Sequence, residues 1–144
     1  MLTFVAFLTL CLDNQQIVEG NTMVHSKQYK IKITIGNTAL TATLSDNPAT
    51  RDFISLLPLE LKLEDYAGTE EITYLPEKLS TEGAPSGCDP SVGDITYYAP
   101  WGNLAIFYKD FGYARGLIKL GKIEQGIEEF NKAGVLNVSI ELEK

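Results

Sequence analysis

The chain has 144 residues, 44% of them hydrophobic and 22% charged, with a net charge of −7 and a pI near 4.7. That is one domain's worth of sequence, long enough to bury a core without disulfides, and the balance of residues argues against a disordered chain and against a multi-span membrane protein. No clustered basic surface stands out, which argues against nucleic acid as a partner.

Met1 to Leu12 is almost wholly apolar, and Asp13 to Lys27 is polar and unpatterned. The pair resembles the apolar region of an export signal followed by a spacer. Yet no Lys or Arg precedes the apolar run and no small-x-small site follows it. Leu8-Thr9-Leu10-Cys11 resembles a lipoprotein box with Leu10 where a small residue is required. About twelve apolar residues also fall short of the roughly 20 that span a bilayer. Residues 1–27 therefore read as an N-terminal extension: an export-signal remnant or membrane tether on one reading, an adventitious segment docked on the surface or frayed on the other. A cytoplasmic and an exported or envelope location stand level. Cys11 and Cys88 lie in dissimilar settings without metal-ligand or C-x-x-C spacing, so they read as unrelated thiols.

The patterned domain runs from residue 28 to 144. Tyr29, Ile31, Ile33 and Ile35 alternate with polar residues, as do Leu40, Ala42 and Leu44 after a Gly36-Asn37 turn, which predicts an antiparallel hairpin with a primed turn. Ser45-Asp46-Asn47-Pro48 supplies cap residues and a first-turn proline for a short helix carrying Ala49, Phe53, Ile54 and Leu57, expected to plug one end of a sheet. Strands follow at Leu59–Glu64 and Ile72–Leu75. Pro76 to Ser91 lacks periodicity and reads as a long loop, functional or mobile, with one helical turn at Pro76–Leu79.

Gly93 to Tyr108 then reads as a β-hairpin around Pro100-Trp101-Gly102-Asn103, with five of the chain's aromatic residues and its only Trp. Ile95, Leu104 and Ile106 are expected in the core, and Tyr98 and Trp101 at the tip form either an aromatic shelf for a ligand or a cap on the barrel end. A glycine-bracketed loop, Phe111 to Gly116, leads to a short strand at Leu117–Leu120. Gly121 is expected to precede a second helix in which Ile123, Ile127 and Phe130 share a face, stopped at Ala133-Gly134. Leu136, Val138, Ile140 and Leu142 form the closing strand. The sum is a mainly β fold: a closed barrel of about eight antiparallel strands with two short capping helices.

Five segments carry a resemblance. Ala49-Thr50-Arg51-Asp52-Phe53 resembles the first helix of cyclophilins, and Leu120-Gly121-Lys122-Ile123-Glu124-Gln125-Gly126-Ile127-Glu128-Glu129-Phe130 resembles their Gly-Lys-Val-x-x-Gly-x-x-x-Val segment before the second. Asp52 to Leu59, Leu79 to Pro85 and the Gly93–Tyr108 hairpin are similar to small prokaryotic cyclophilin-like proteins of unassigned activity, over residues 28 to 142. The resemblance implies the fold rather than a chemistry. True cyclophilins isomerise X-Pro bonds with the Arg of a Phe-x-Arg strand motif beside a Phe-rich pocket. The corresponding stretch here is Glu71-Ile72-Thr73-Tyr74-Leu75, without Arg, so no catalytic residue is assigned. If the chain is an enzyme, the resemblance implies a prolyl isomerase; association of some relatives with flavodoxin-like proteins implies, as a further alternative, an interaction module.

Other chemistry is sparse. His25, the sole histidine, lies in the polar spacer and has no partners that would make it a base or metal ligand. No phosphate loop, nucleophile triad or paired-carboxylate motif is present, and no cofactor or metal is implied. Glu124, Glu128 and Glu129 read as a solvated helix face. Arg115 in its glycine-bracketed loop either contacts a ligand or pairs with Asp110 or Glu82. The expectation is a mouth lined by Tyr74, Glu82, Tyr98, Trp101, Tyr113 and Arg115 that takes a small molecule or short peptide.

Overall fold

The computed structural model describes residues 25–144. The apolar run Met1–Leu12, Cys11 and the spacer up to Val24 lie outside the described residues. His25 is exposed. Among the described residues no helix is long and apolar enough to cross a membrane.

The chain forms strands β1 (Gln28–Ile35), β2 (Thr38–Ser45), β3 (Leu59–Tyr66), β4 (Glu70–Tyr74), β5 (Gly87–Cys88), β6 (Asp94–Tyr98), β7 (Asn103–Phe107), β8 (Ala114–Arg115), β9 (Leu117–Ile123) and β10 (Leu136–Leu142), with helix α1 (Pro48–Ser55) and a 3-10 turn at Ile127–Phe130. Eight of the strands close an antiparallel barrel in the order β1-β10-β3-β4-β7-β6-β9-β2; β5 and β8 pair separately. Closure leaves no barrel strand with an unpaired edge.

Alternation decides what fills the barrel. Ile31, Ile33, Leu44, Leu63, Leu104, Ile106 and Leu120 have no exposed surface, and each lies on the inward parity of its strand. The hairpin residues Ile95, Leu104 and Ile106 are core, as expected. In the first hairpin Ile35 pairs with Thr38, and Gly36 takes φ +57, as the first residue of a primed two-residue turn requires. Helix α1 starts where the sequence places it: the Asn47 side chain accepts from the Thr50 N–H at 2.8 Å and donates to the Lys119 carbonyl at 3.3 Å, tying the helix start to β9. Its fully buried Phe53 and the fully buried Phe130 of the 3-10 turn plug opposite ends of the barrel. Helix α1 leaves the C-terminal end of β2, whereas Gly126, at the head of the 3-10 turn, packs against Leu40 near the N-terminal end of the same strand.

Several expected boundaries move. Gly121 does not open a helix: β9 continues through it to Ile123, pairing Gly121 with Leu44 of β2 and Lys122 with Asp94 of β6, because barrel closure needs a strand there. A Cβ at Gly121 would lie 2.1 Å from the Thr43 carbonyl oxygen, so the glycine serves a close strand approach. Only Ile127–Phe130 is helical, and Glu124, Glu128 and Glu129 do not share a helix face; Glu124 instead accepts from Lys30 and Thr43 across the barrel wall. The strands β3 and β4 reach Tyr66 and Glu70, joined by a tight turn in which Ala67 and Gly68 both take positive φ. Pro76–Leu79 is a bend rather than a helical turn. The long loop is pinned: Leu79 is buried, its N–H donating to the Tyr97 hydroxyl at 3.2 Å, and the Ser80 N–H donates to Asp52 at 2.7 Å.

Candidate functional site

The interior of the barrel is filled with side chains, and the concavity lined by a group of aromatic side chains lies on its outer wall. In β7, Leu104 and Ile106 point inward, while Ala105 and Phe107 point outward and are still only 1% and 3% exposed. Leu117 at the start of β9 joins them. Buried residues on the outward face of an antiparallel wall require a cover. Here the cover is the chain from Asp110 to Gly116, held by the β5–β8 pairing of Gly87 with Arg115 and Cys88 with Ala114. Further bonds fix it: Gly116 N–H to the Ser86 carbonyl (2.8 Å), Ala99 N–H to the Gly116 carbonyl (3.0 Å), the Ser86 and Tyr113 hydroxyls to each other (2.7 Å), and Val92 N–H to the Asp110 carboxylate (2.9 Å).

Between wall and cover lies a cavity of about 390 Å³. Ile72, Ala105 and Leu117 form its floor; Tyr66, Tyr98, Trp101, Phe107, Phe111 and Tyr113 surround it, and Glu70, Asn103 and Arg115 supply the polar groups. Of eight large hydrophobic side chains that remain exposed among the described residues, four line this one cavity: Tyr66, Trp101, Phe111 and Tyr113. Such grouping marks an interaction site more than scattered exposure does. The Trp101 ring meets Tyr66 and Tyr98 edge-to-face, with centroids 5.7 and 5.3 Å away.

Carboxyls near the β3–β4 turn titrate unusually high. Half-buried Glu70, facing the cavity, is pushed up to about 7 by burial and then by the Asp65 carboxylate. Glu71 points the other way, into the barrel end. It has no exposed surface, neither carboxyl oxygen has a hydrogen-bond partner, and the same two causes push it up to about 7. Beside it the Tyr108 hydroxyl donates to Asp65, and burial, that bond and the nearby carboxylates push the phenol up to about 12. In the cavity, therefore, one carboxyl exchanges its proton near neutrality beside apolar walls, and Arg115 lines the same cavity without acting on that carboxyl. No Ser or Cys lines it to act as a nucleophile. Among the described residues no three His, Cys, Asp or Glu side chains group to hold a metal.

Four of the six expected site residues, Tyr98, Trp101, Tyr113 and Arg115, line the cavity together. Two do not. Tyr74 is 65% exposed at the end of β4, outside it. Glu82 borders a smaller hollow of about 220 Å³ with Ser80, Cys88 and Lys119, near the start of α1; Leu117 stands between the two concavities. Arg115 forms no salt bridge among the described residues, and Asp110 holds the Val92 N–H instead. The Cys88 thiol in the smaller hollow is raised by burial and the Asp94 carboxylate, which keeps it protonated and weakly nucleophilic. The lining residues that sequence reasoning missed are chiefly Tyr66, Glu70, Asn103 and Phe111. The available signal for the first two was Ala67-Gly68, a tight-turn pair that extends both flanking strands and sets Tyr66 opposite Glu70.

A search of curated proteins finds no match. Among solved structures, the solution structure of the hypothetical protein AF2241 from Archaeoglobus fulgidus is similar, with a TM-score of 0.58 at 15% identity, covering 83% of this chain and 98% of that one. At that identity the likeness concerns the fold. The profile of the cyclophilin-like family matches residues 33–141, nearly the whole barrel from β1 to β10. The chain belongs to the cyclophilin-like family.

Proposed function

We propose that this protein binds a small molecule or short peptide in the outer-wall cavity, as a receptor without chemistry of its own. One observation carries the reading: the exposed aromatic side chains and the polar groups Glu70, Asn103 and Arg115 converge on a single concavity whose floor is already desolvated. A cover stitched by backbone bonds supports it too, since a pre-formed site binds without an ordering cost. The test is a metabolite and short-peptide screen, read by the emission of the single Trp101 and by amide chemical shifts of the wall and cover. Ligands are expected to move signals from residues 98–117 first. A screen that leaves Trp101 and these amides unmoved removes the reading.

A second reading has a specific observation in its favour. Arg115, one of the two arginines, lines the aromatic cavity, where it is free to bond a peptide carbonyl or prolyl nitrogen; this is the arrangement a divergent prolyl isomerase needs. A proline-peptide isomerisation assay separates the two. Catalysis lost in Arg115→Ala supports the isomerase, and an uncatalysed rate with the wild-type protein discards it.

A further inference from the structure

The cavity contains a carboxyl that pairs with no cation among the described residues. Glu70 stands between its cross-strand neighbours Tyr66 on β3 and Phe107 on β7, half-buried, and forms no salt bridge among the described residues. The charged and titratable groups of the elements around it are Asp65 and Tyr66 from β3, Glu71 on β4, Tyr108 and Lys109 after β7, and Tyr113 and Arg115 from the cover. Asp65 repels its negative charge. The Lys109 ammonium is occupied over the Tyr108 ring, 5.9 Å from its centroid. Arg115 enters from β8 in the cover, forms no salt bridge among the described residues and is not among the charges that act on Glu70. A half-buried carboxylate with only a carboxylate for close company creates a local demand for positive charge.

Two independent features point to a ligand at the same place. Tyr66 and Tyr98 each stand edge-to-face with Trp101, at 84° and 79°, so three rings form one cluster on the cavity lining. Asn103 lines the cavity and is 2% exposed; its Nδ2 donates to the Leu104 carbonyl at 3.3 Å, while its Oδ1 is buried and has no partner. A buried amide oxygen left unsatisfied is uncommon, and its partial negative charge adds to the preference for a cation on this lining.

Taking the cavity as a ligand site, we infer that its ligand is an organic cation: an alkylated or quaternary ammonium on an apolar body, its charge beside Glu70 and against the faces of Tyr66 and Trp101. Aromatic faces attract such a cation through their quadrupoles without needing an N–H donor, and the Glu70 carboxylate adds its charge to the attraction. An anion is repelled at this end by both Glu70 and Asp65. A neutral ligand gains nothing from either.

The full chain is titrated with benzyltrimethylammonium, which is charged at every pH, and with benzyl alcohol and benzoate as neutral and anionic counterparts, following Trp101 emission. The cation is expected to bind tightest. Because Glu70 titrates at about 7, cation affinity is expected to rise about tenfold from pH 6 to pH 8. Glu70→Gln, a neutral isostere at a half-exposed position, is expected to weaken the cation and abolish that pH dependence. Tyr66→Leu is expected to cost the cation two- to fivefold more than it costs benzyl alcohol. Benzyl alcohol or benzoate binding as well as the cation, or cation affinity that does not change with pH, overturns the inference while the cavity still stands as a ligand site. Silence with all three probes overturns it as well, and the wider screen above then decides whether the site itself stands.

Discussion

Glu71 shows how a single residue turns burial into pH dependence. Its carboxyl is fully buried without a hydrogen-bond partner, opposite Asp65 and Ile106, and its folded pKa of about 7 lies above the 4.5 of an exposed glutamate. Between those values the folded protein binds more protons than the unfolded chain, so stability falls as pH rises. The contribution is complete below about pH 4.5 and is lost as pH rises through about 7; Glu70 adds to the same slope. Glu71→Gln keeps the shape without the charge. It is expected to match the wild type near pH 4.5 and to exceed it by roughly 1–3 kcal/mol at about pH 8, as measured by urea unfolding at both pH values. Parallel stability curves for the two proteins would show that Glu71 stays ionised in the barrel.

At the scale of elements, the short β5–β8 pair matters more for the site than its four residues imply. It anchors the cover over Ala105, Phe107 and Leu117, and it leaves no room for a side chain: a Cβ on Gly87 would sit 2.2 Å from the Ala114 carbonyl oxygen and 2.8 Å from the Arg115 Cα. Gly87→Ala is therefore expected to separate this pair while the barrel stays closed, since neither strand belongs to the barrel. Faster amide exchange confined to residues 86–88 and 110–117, with a far-UV spectrum close to that of the wild type, checks this. Loss of the whole fold in Gly87→Ala would place the pair in the cooperative core. Pattern reading found the glycine-bracketed loop here yet missed its strand, because two residues carry no periodicity; the pairing exists only once Gly87 and Arg115 meet.

On the scale of the whole molecule, the last strand locks the barrel. β10 lies between β1 and β3, with Ile140 opposite Ile33 on one side and Leu59 on the other, so the C-terminal strand joins two segments from the first half of the chain. Ile140 is 1% exposed. Ile140→Ala is expected to cost about 2–5 kcal/mol in a single cooperative transition with an unchanged denaturant slope. A biphasic transition instead would mean that the hairpin and wall halves unfold separately. The opposite-end plugs Phe53 and Phe130 belong to the same closed core, with the N-cap of α1 tied to β9.

The residues by themselves determined the barrel, because alternation of Ile31, Ile33, Ile35 and of Leu136, Val138, Ile140 allows only strands with one buried face, and the Asn47-Pro48 start marks α1 unaided. Tyr98, Trp101, Tyr113 and Arg115 were also legible as site candidates, since aromatic and charged residues at a turn and in a glycine-bracketed loop have no local structural use. Tertiary structure alone decided the rest. It turned the Gly121 segment into strand, because closure against β2 and β6 outweighs the helical pattern. It also placed the aromatic cavity on the outer wall, with Tyr74 and Glu82 outside its lining and Tyr66, Glu70 and Asn103 within it. The physical reason is common to all of these: which face of a strand is covered, and by what, depends on contacts between residues far apart in the chain, and local pattern carries no record of them.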